Sequence, residues 1–247
     1  TEPERQLQAA FAQALERHRA GELEAAEAAY RALLDADPDW PDALHLLGVL
    51  RYQRGDGDGA VALIRQALAR EAGRAERHND LGNILFARGE PRQAADSFRE
   101  AIALQPFAAT LWNNLGAALL GAEAAGDAEL AFRQAIALDD TFVDALRNLG
   151  HLLDAQGRSV EAAEYHCRAY VLAPPTDDPK SLLGIAYYKL GRYAAAAEVY
   201  RQWLQQEPDD PVAAHFYAAC SGQDVPQRCS EAYIEKTFDD FAARFDA

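Results

Sequence analysis

Gly21, Gly55, Gly89, Gly157 and Gly191 fall at intervals of 34 residues or twice 34, and Glu123 stands in the one vacant slot. A second series shares the same phase: Pro38, Pro106, Pro174 and Pro208, with Ala72 and Asp140 where the remaining prolines would be. Two independent series with one period mean that the chain repeats itself. A period of roughly 20–50 residues is the signature of stacked units that bury their apolar faces against one another. The 247 residues exceed the ~100–200 usual for one domain, and the repetition decides for one elongated array over two globular cores.

Each unit carries an L-G pair or a degenerate form of it, as in HLLGVL, NDLGNIL, NNLGAAL, RNLGHLL and SLLGIAY. An A-x-x-x-aromatic-x-x-A stretch follows, as in AADSFREA, AELAFRQA and AAEVYRQW. Apolar residues recur at three and four, which is the helical period, and the spaced glycine sits between two such runs. Each unit is therefore expected to be a helix, a tight turn and an antiparallel helix. Gly48, Gly82, Gly116, Gly150 and Gly184 are expected to face Ala60, Ala94, Ala128, Ala162 and Ala196, letting the axes approach to the near end of the ~8–10 Å range. The aromatic four residues on, such as Tyr30, Phe98, Phe132 or Tyr200, is expected to fill the seam with the following unit. Proline then ends the second helix, because it lacks the backbone donor and restricts the residue before it.

This pattern resembles the tetratricopeptide repeat, a 34-residue helix–turn–helix family, over about nine-tenths of the chain. Six units can be marked, 7–40, 41–74, 75–108, 109–142, 143–176 and 177–210, with a partial seventh at 211–220. The first has Ala14 in place of its glycine, as befits a capping repeat, and the fourth carries GAEAAGD in place of a single turn glycine. The resemblance implies an all-α fold, a right-handed superhelical solenoid of antiparallel helix pairs closed by a C-terminal capping helix. The expected division is a solenoid over 1–220 and a turn with a capping or linker helix over 221–247.

In such solenoids the first helices line a concave groove, and the resemblance places the second, fifth, sixth, ninth, twelfth and thirteenth residues of each unit towards it. Those positions hold Glu76, Asn79, Asp80, Asn83 and Phe86, then Asn113, Asn114 and Leu120, then Asp144, Arg147, Asn148, His151 and Asp154. Asparagine is a poor helix former, so five of them in three consecutive units need a reason. Their amides both donate and accept, which suits holding the backbone of an extended peptide; bonding to a neighbouring helix is the other explanation. The superhelix of O-linked N-acetylglucosamine transferase, which lines its groove with asparagines, is similar. Phe86 and Tyr188 lie in groove phase as apolar contacts for a partner, whereas Tyr187 is expected to be packed. The candidate groove set is thus Asn79, Asn83, Phe86, Asn113, Asn114, Arg147, Asn148, His151 and Tyr188.

The two-carboxylate clamp of chaperone-binding members of the family does not fit. Asn83 and Asn114 match two of its places, but Asn79, Asp144 and Asn148 stand where the clamp has Lys or Arg. Enzyme chemistry finds no foothold either: His18, His45, His78, His151, His166 and His215 form no metal-ligand spacing, and there is no G-x-S-x-G, P-loop or strand with a glycine turn. No cofactor is implied, and the chain itself is expected to be non-enzymatic. A formal charge of −15, from 24 Lys and Arg against 39 Asp and Glu, disfavours nucleic acid and anionic lipid. Without an apolar span or signal peptide, and with the three cysteines Cys167, Cys220 and Cys229 and no C-x-x-C, a cytoplasmic protein with free thiols is expected, a Cys220–Cys229 bridge being the alternative.

Beyond the array, QDVPQR is a turn, and from Ser230 a helix is expected with Tyr233, Ile234, Thr237, Phe238, Phe241 and Phe245 on one apolar face. It would cover the open end of the solenoid. Gly222, Asp224, Val225, Pro226, Tyr233, Phe238, Asp239, Phe241, Phe245 and Asp246 also resemble the junction of bacterial proteins that join such repeats to a class I S-adenosylmethionine-dependent methyltransferase domain. The expectation is a protein-interaction module for an extended peptide or protein, forming the recruiting region of such an enzyme. The alternatives are a scaffold that self-associates through its terminal faces, or the repeat region of an O-linked glycosyltransferase-like protein.

Overall fold

The computed structural model describes residues 2–174 and 180–222, with side chains over 5–174 and 182–222. The expected capping helix at 230–247 lies outside the described residues. Secondary structure among them is entirely helical, in two compact units, 1–140 and 141–247.

The first unit holds α1 (Glu2–Arg19), α2 (Leu23–Ala36), α3 (Pro41–Gln53), α4 (Gly57–Arg70), α5 (Ala75–Ala87), α6 (Pro91–Leu104), α7 (Ala109–Gly121) and α8 (Ala125–Leu138). The second holds α9 (Val143–Ala155), α10 (Ser159–Leu172), α11 (Lys180–Lys189), α12 (Tyr193–Gln206) and α13 (Pro211–Ser221). From α2 onward the second helices begin at 23, 57, 91, 125, 159 and 193, so the 34-residue period is kept without a slip. Within each unit every first helix packs on the second helix that follows it, and successive first helices also touch, α3 with α5 and α5 with α7.

The spaced glycines work as helix stops. Gly55 has a φ of +86°, which only glycine adopts without steric cost. Its amide donates to the Tyr52 carbonyl at 2.9 Å, and the next amide, of Asp56, donates to the Arg51 carbonyl at 2.9 Å. That pair of bonds is the Schellman stop. In the vacant slot Glu123 does the same with φ 63°: its amide bonds Leu120 and that of Ala124 bonds Leu119. The fourth repeat therefore turns on one left-handed residue like the others; in the rest of GAEAAGD, Ala122 and Ala124 are the caps of α7 and α8, and the other residues lie within those helices. Pro38, Pro106, Pro174 and Pro208 each follow directly on the C-cap of α2, α6, α10 and α12, as expected of a residue that cannot continue a helix.

The helix seam carries more than the facing small residues. A Cβ built on Gly48 would lie 3.1 Å from the Ala60 carbonyl it faces, but one on Gly82 would lie 2.6 Å from the Phe98 ring, and one on Gly116 would lie 2.6 Å from Phe132. The aromatics accordingly fill the glycine gap inside their own helix pair. Phe98 and Phe132 are 1% exposed, and Tyr30 is fully buried. The reason is directional, since a helical side chain leans towards the N-terminus and covers the turn before its own Cα. In the second unit Tyr200 meets Gly184 in this way and also stacks on Phe216 of α13, 5.2 Å between centroids. His166 takes the ring's place over Gly150, with a built Cβ 2.6 Å from it.

Two buried charged groups inside the first unit are held in ion pairs. Glu27, buried on α2, receives Arg31 at 2.5 Å, Arg51 at 3.2 Å and Arg54. Arg77, only 1% exposed, donates to Asp42 at 2.7 Å, to the Glu71 carboxylate at 2.9 Å and to the Glu71 carbonyl at 2.8 Å. These contacts lock α3, α5 and the loop between α4 and α5 together, and they satisfy a guanidinium that would otherwise be costly to bury.

Candidate functional site

In the first unit the helical period sets one face on each first helix. Residues three and four apart share a face, so α5 presents Glu76, Asn79 and Asp80, Asn83 and Phe86, and α7 presents Thr110, Asn114, Ala117 and Leu120. On α3 the equivalent line is Asp42, His45, Val49 and Tyr52.

The three lines are joined by hydrogen bonds between residues 35 apart, one position beyond the repeat. His45 Nε2 lies 2.9 Å from Asp80 Oδ2, and Asn114 Nδ2 donates to Asn79 Oδ1 at 3.1 Å; Asn83 Oδ1, 31 residues from Asn114, is also within 3.5 Å of that nitrogen. Asn79 Nδ2 reaches towards Asp80 Oδ1 at 3.5 Å. The asparagines thus pair with the neighbouring helix and still keep capacity, since an amide has two donor hydrogens and two acceptor lone pairs. Between α5 and α7 lies an open cavity of about 340 Å³, lined by Glu76, Asn79, Asp80, Gln105, Thr110 and Asn114 among others. Gln105 Nε2 donates to Glu76 Oε1 at 3.3 Å. The polar lining carries two carboxylates.

Further along the same helices a strip of large apolar side chains is open to solvent: Tyr52 is 38% exposed, Phe86 42% and Leu120 42%. These are the same position in three consecutive repeats. A Cβ built on Gly121 would come 3.2 Å from the Phe86 ring, so Phe86 reaches across to the end of α7, beside Leu120.

Asn113 needs correcting as a surface contact. It is 9% exposed and engaged, because the fifth position lies at the flank of the face against a neighbouring helix, as the Asn79–Asn114 bond shows. Asn83 is exposed, and Asn79 and Asn114 are half-buried.

In the second unit Arg147 and His151 are exposed on α9, and Asn148 is half-buried and engaged. His166 Nε2 lies 2.8 Å from Asp154 Oδ2, and the His151 and His166 rings meet edge to face at 5.1 Å. The His166 hydrogen bond, joined by one from Ser159 and by the charges of both histidines, holds the Asp154 carboxyl below the usual carboxylate range. Tyr188 is 40% exposed and touches Tyr193 at 5.3 Å, while Tyr187 is half-buried. Cys167 and Cys220 are free thiols, both pushed up by burial. Among the described residues no cluster of three or more His, Cys, Asp or Glu could hold a metal ion, and no helix is long and apolar enough to cross a membrane.

Sequence reasoning held inter-helix bonding of the asparagines open but missed three features: which asparagines pair, the buried Arg77 and the ring slot taken by His166. A recurring separation of 35 between complementary polar residues, 18 with 53, 42 with 77, 45 with 80 and 79 with 114, is the signal that would have found the first two.

Tetratricopeptide repeat profiles match residues 8–75, 79–141, 125–179 and 177–220. Among solved structures the chain is similar to MamA, with 25% identity over 64% of this chain and 92% of that one and a TM-score of 0.61. It shares its fold with PilF of Pseudomonas aeruginosa, with 21% identity, 89% and 100% covered and a TM-score of 0.64. The same holds for PilW, a type IV pilus biogenesis factor, with 22% identity, 84% and 96% covered and a TM-score of 0.60. No curated protein matches the chain.

Proposed function

Because this chain belongs to the tetratricopeptide repeat family, we propose that it is a protein-interaction module holding an extended peptide segment of its partner across the first-helix faces of α3, α5 and α7. One observation carries the reading. A row of amides with spare hydrogen-bonding capacity, Asn79, Asn83 and Asn114, runs beside three half-exposed apolar side chains repeated at one position. An extended chain offers both things such a surface matches: backbone groups for the amides and side chains for the apolar strip. Arg147, Asn148, His151 and Tyr188 are proposed as partner contacts of the second unit by itself. The competing role for the asparagines, pure inter-helix bonding, accounts for Asn114 and Asn79 but gives no reason for exposed Tyr52, Phe86 and Leu120.

The test is site-specific photocrosslinking in cells. A crosslinking amino acid at Asn83 is expected to yield discrete adducts with a partner, and one at Glu100, exposed on α6, is not. Equal labelling from both positions would sink the reading.

We further propose that the module is the recruiting region of an S-adenosylmethionine-dependent methyltransferase, with 221–247 as the linker. The support is the wording of residues 222–246 and its resemblance to such junctions. Intact mass and sequence of the native gene product decide this, because a glycine-rich cofactor loop must follow residue 247 if it holds.

A further inference from the structure

The spacing and charge of the α3–α5–α7 face define the partner more narrowly, on the premise that the face binds an extended peptide. We infer that the preferred ligand is an extended segment in the polyproline II conformation, with an apolar side chain at every third residue and a lysine or arginine reaching the cavity between α5 and α7.

The register follows from geometry. Tyr52, Phe86 and Leu120 occupy one position on three first helices that touch their neighbours in sequence, and touching helices are about 8–10 Å apart. A polyproline II chain advances about 3.1 Å per residue and brings every third side chain back to one face, so three residues span about 9 Å, whereas a β-strand turns residue i+3 to the opposite face. Two residues of polyproline II fall short at about 6 Å, and four overshoot at about 12 Å. A ligand crossing the helices therefore meets Tyr52, Phe86 and Leu120 with side chains i, i+3 and i+6.

The charge follows from what lines the cavity. Glu76 and Asp80 stand on the same face of α5 as Phe86, one to three helical turns nearer its start, with Asn79, Asn114 and Thr110 around them. Asp80 is met by His45 and Glu76 by the neutral Gln105, and no lysine or arginine lines the cavity. The distance from the apolar strip to Asp80, six residues of helix or about 9 Å, is within reach of a long cationic side chain that leaves the ligand backbone over Asn83. A cation gains both carboxylates there, whereas an anionic ligand meets them unfavourably. The chain's charge of −15 adds long-range attraction for such a ligand.

The experiment is to pan a phage-displayed library of random 12-residue peptides against the full chain and to measure the selected peptides by fluorescence anisotropy. Expected are sequences with apolar residues three apart and a lysine or arginine alongside. Their affinity is expected to fall more than tenfold with Phe86→Asp, and about tenfold with Glu76→Gln combined with Asp80→Asn, in variants whose circular dichroism is unchanged. Binders that lose affinity with Phe86→Asp but show another spacing, or no basic residue, overturn this inference and leave the peptide-holding face standing. Absence of binders, or binders indifferent to every substitution on the face, overturns both.

Discussion

At the scale of single residues the structure isolates places where one side chain bears a cost that the repeat normally avoids. Glu123 holds a left-handed turn with φ 63° where five other turns use glycine. Relief of that strain is worth about 1–2 kcal/mol, against about 0.5–1 kcal/mol of extra unfolded-state freedom for glycine. Glu123→Gly is therefore expected to raise the stability by roughly 0.5–1 kcal/mol, read as a higher midpoint in urea. A lowered midpoint would mean that Glu123 has a stabilising contact outweighing its backbone. Arg77 poses the opposite case: it is 1% exposed, but its partners Asp42 and Glu71 are 41% and 45% exposed. Removing the exposed carboxylates strands a buried cation, so Asp42→Ala with Glu71→Ala is expected to cost about 3–5 kcal/mol. Arg77→Met leaves only solvated carboxylates behind and is expected to cost much less, within about 1 kcal/mol of wild type. Equal losses in the two variants would refute that asymmetry. Glu123 was legible in advance because it broke a period. Arg77 was not, since the same position elsewhere is Ala43, Leu111 or Ala145, all of them buried, and nothing local distinguishes an arginine that will be covered.

At the scale of the helix pair, two kinds of glycine should respond oppositely to the same substitution. Gly82 lies under Phe98, with no room for a Cβ at 2.6 Å, so Gly82→Ala is expected to destabilise by about 1–3 kcal/mol through overpacking. Gly126, in the first turn of α8, has nothing within 4 Å and no positive φ, so Gly126→Ala is expected to stabilise by about 0.5 kcal/mol through helix propensity. Thermal unfolding followed by circular dichroism checks both signs, and pairing Gly82→Ala with Phe98→Leu should recover part of the loss, because contacting sites do not add. Failure of that rescue would place the clash elsewhere. The period made helices, turns and their order readable. The partner of each ring was not, because spacing tells which residues share a face while the lean of the side chain tells which turn they cover. The asparagines show the same limit: composition marked Asn79 and Asn114 as unusual, but only the 35-residue offset between neighbouring helices shows that they bond to each other.

At the scale of the whole molecule, stability in a repeat array is carried by each unit and its immediate neighbours. Residues 1–140 contain their own core, from Ala14, Tyr30 and Leu47 through Phe98 and Leu115 to Phe132, together with all of α3, α5 and α7. A fragment of residues 1–140 is therefore expected to keep its helical circular dichroism and to bind a selected cationic peptide within about threefold of the full chain, since none of the proposed contacts in that face lies outside it. The attraction between the peptide and Glu76 and Asp80 acts through solvent. Raising the salt from 0.1 M to 1 M shortens the screening length from about 10 Å to about 3 Å, and this should weaken a lysine-bearing peptide several-fold while leaving a neutral, equally apolar one nearly unchanged. If both peptides respond alike to salt, the apolar strip alone selects the ligand and the carboxylates take no part. If the fragment folds but binds neither, the contacts that matter lie on α9 to α13, and the face across α3, α5 and α7 is a structural feature of the repeat.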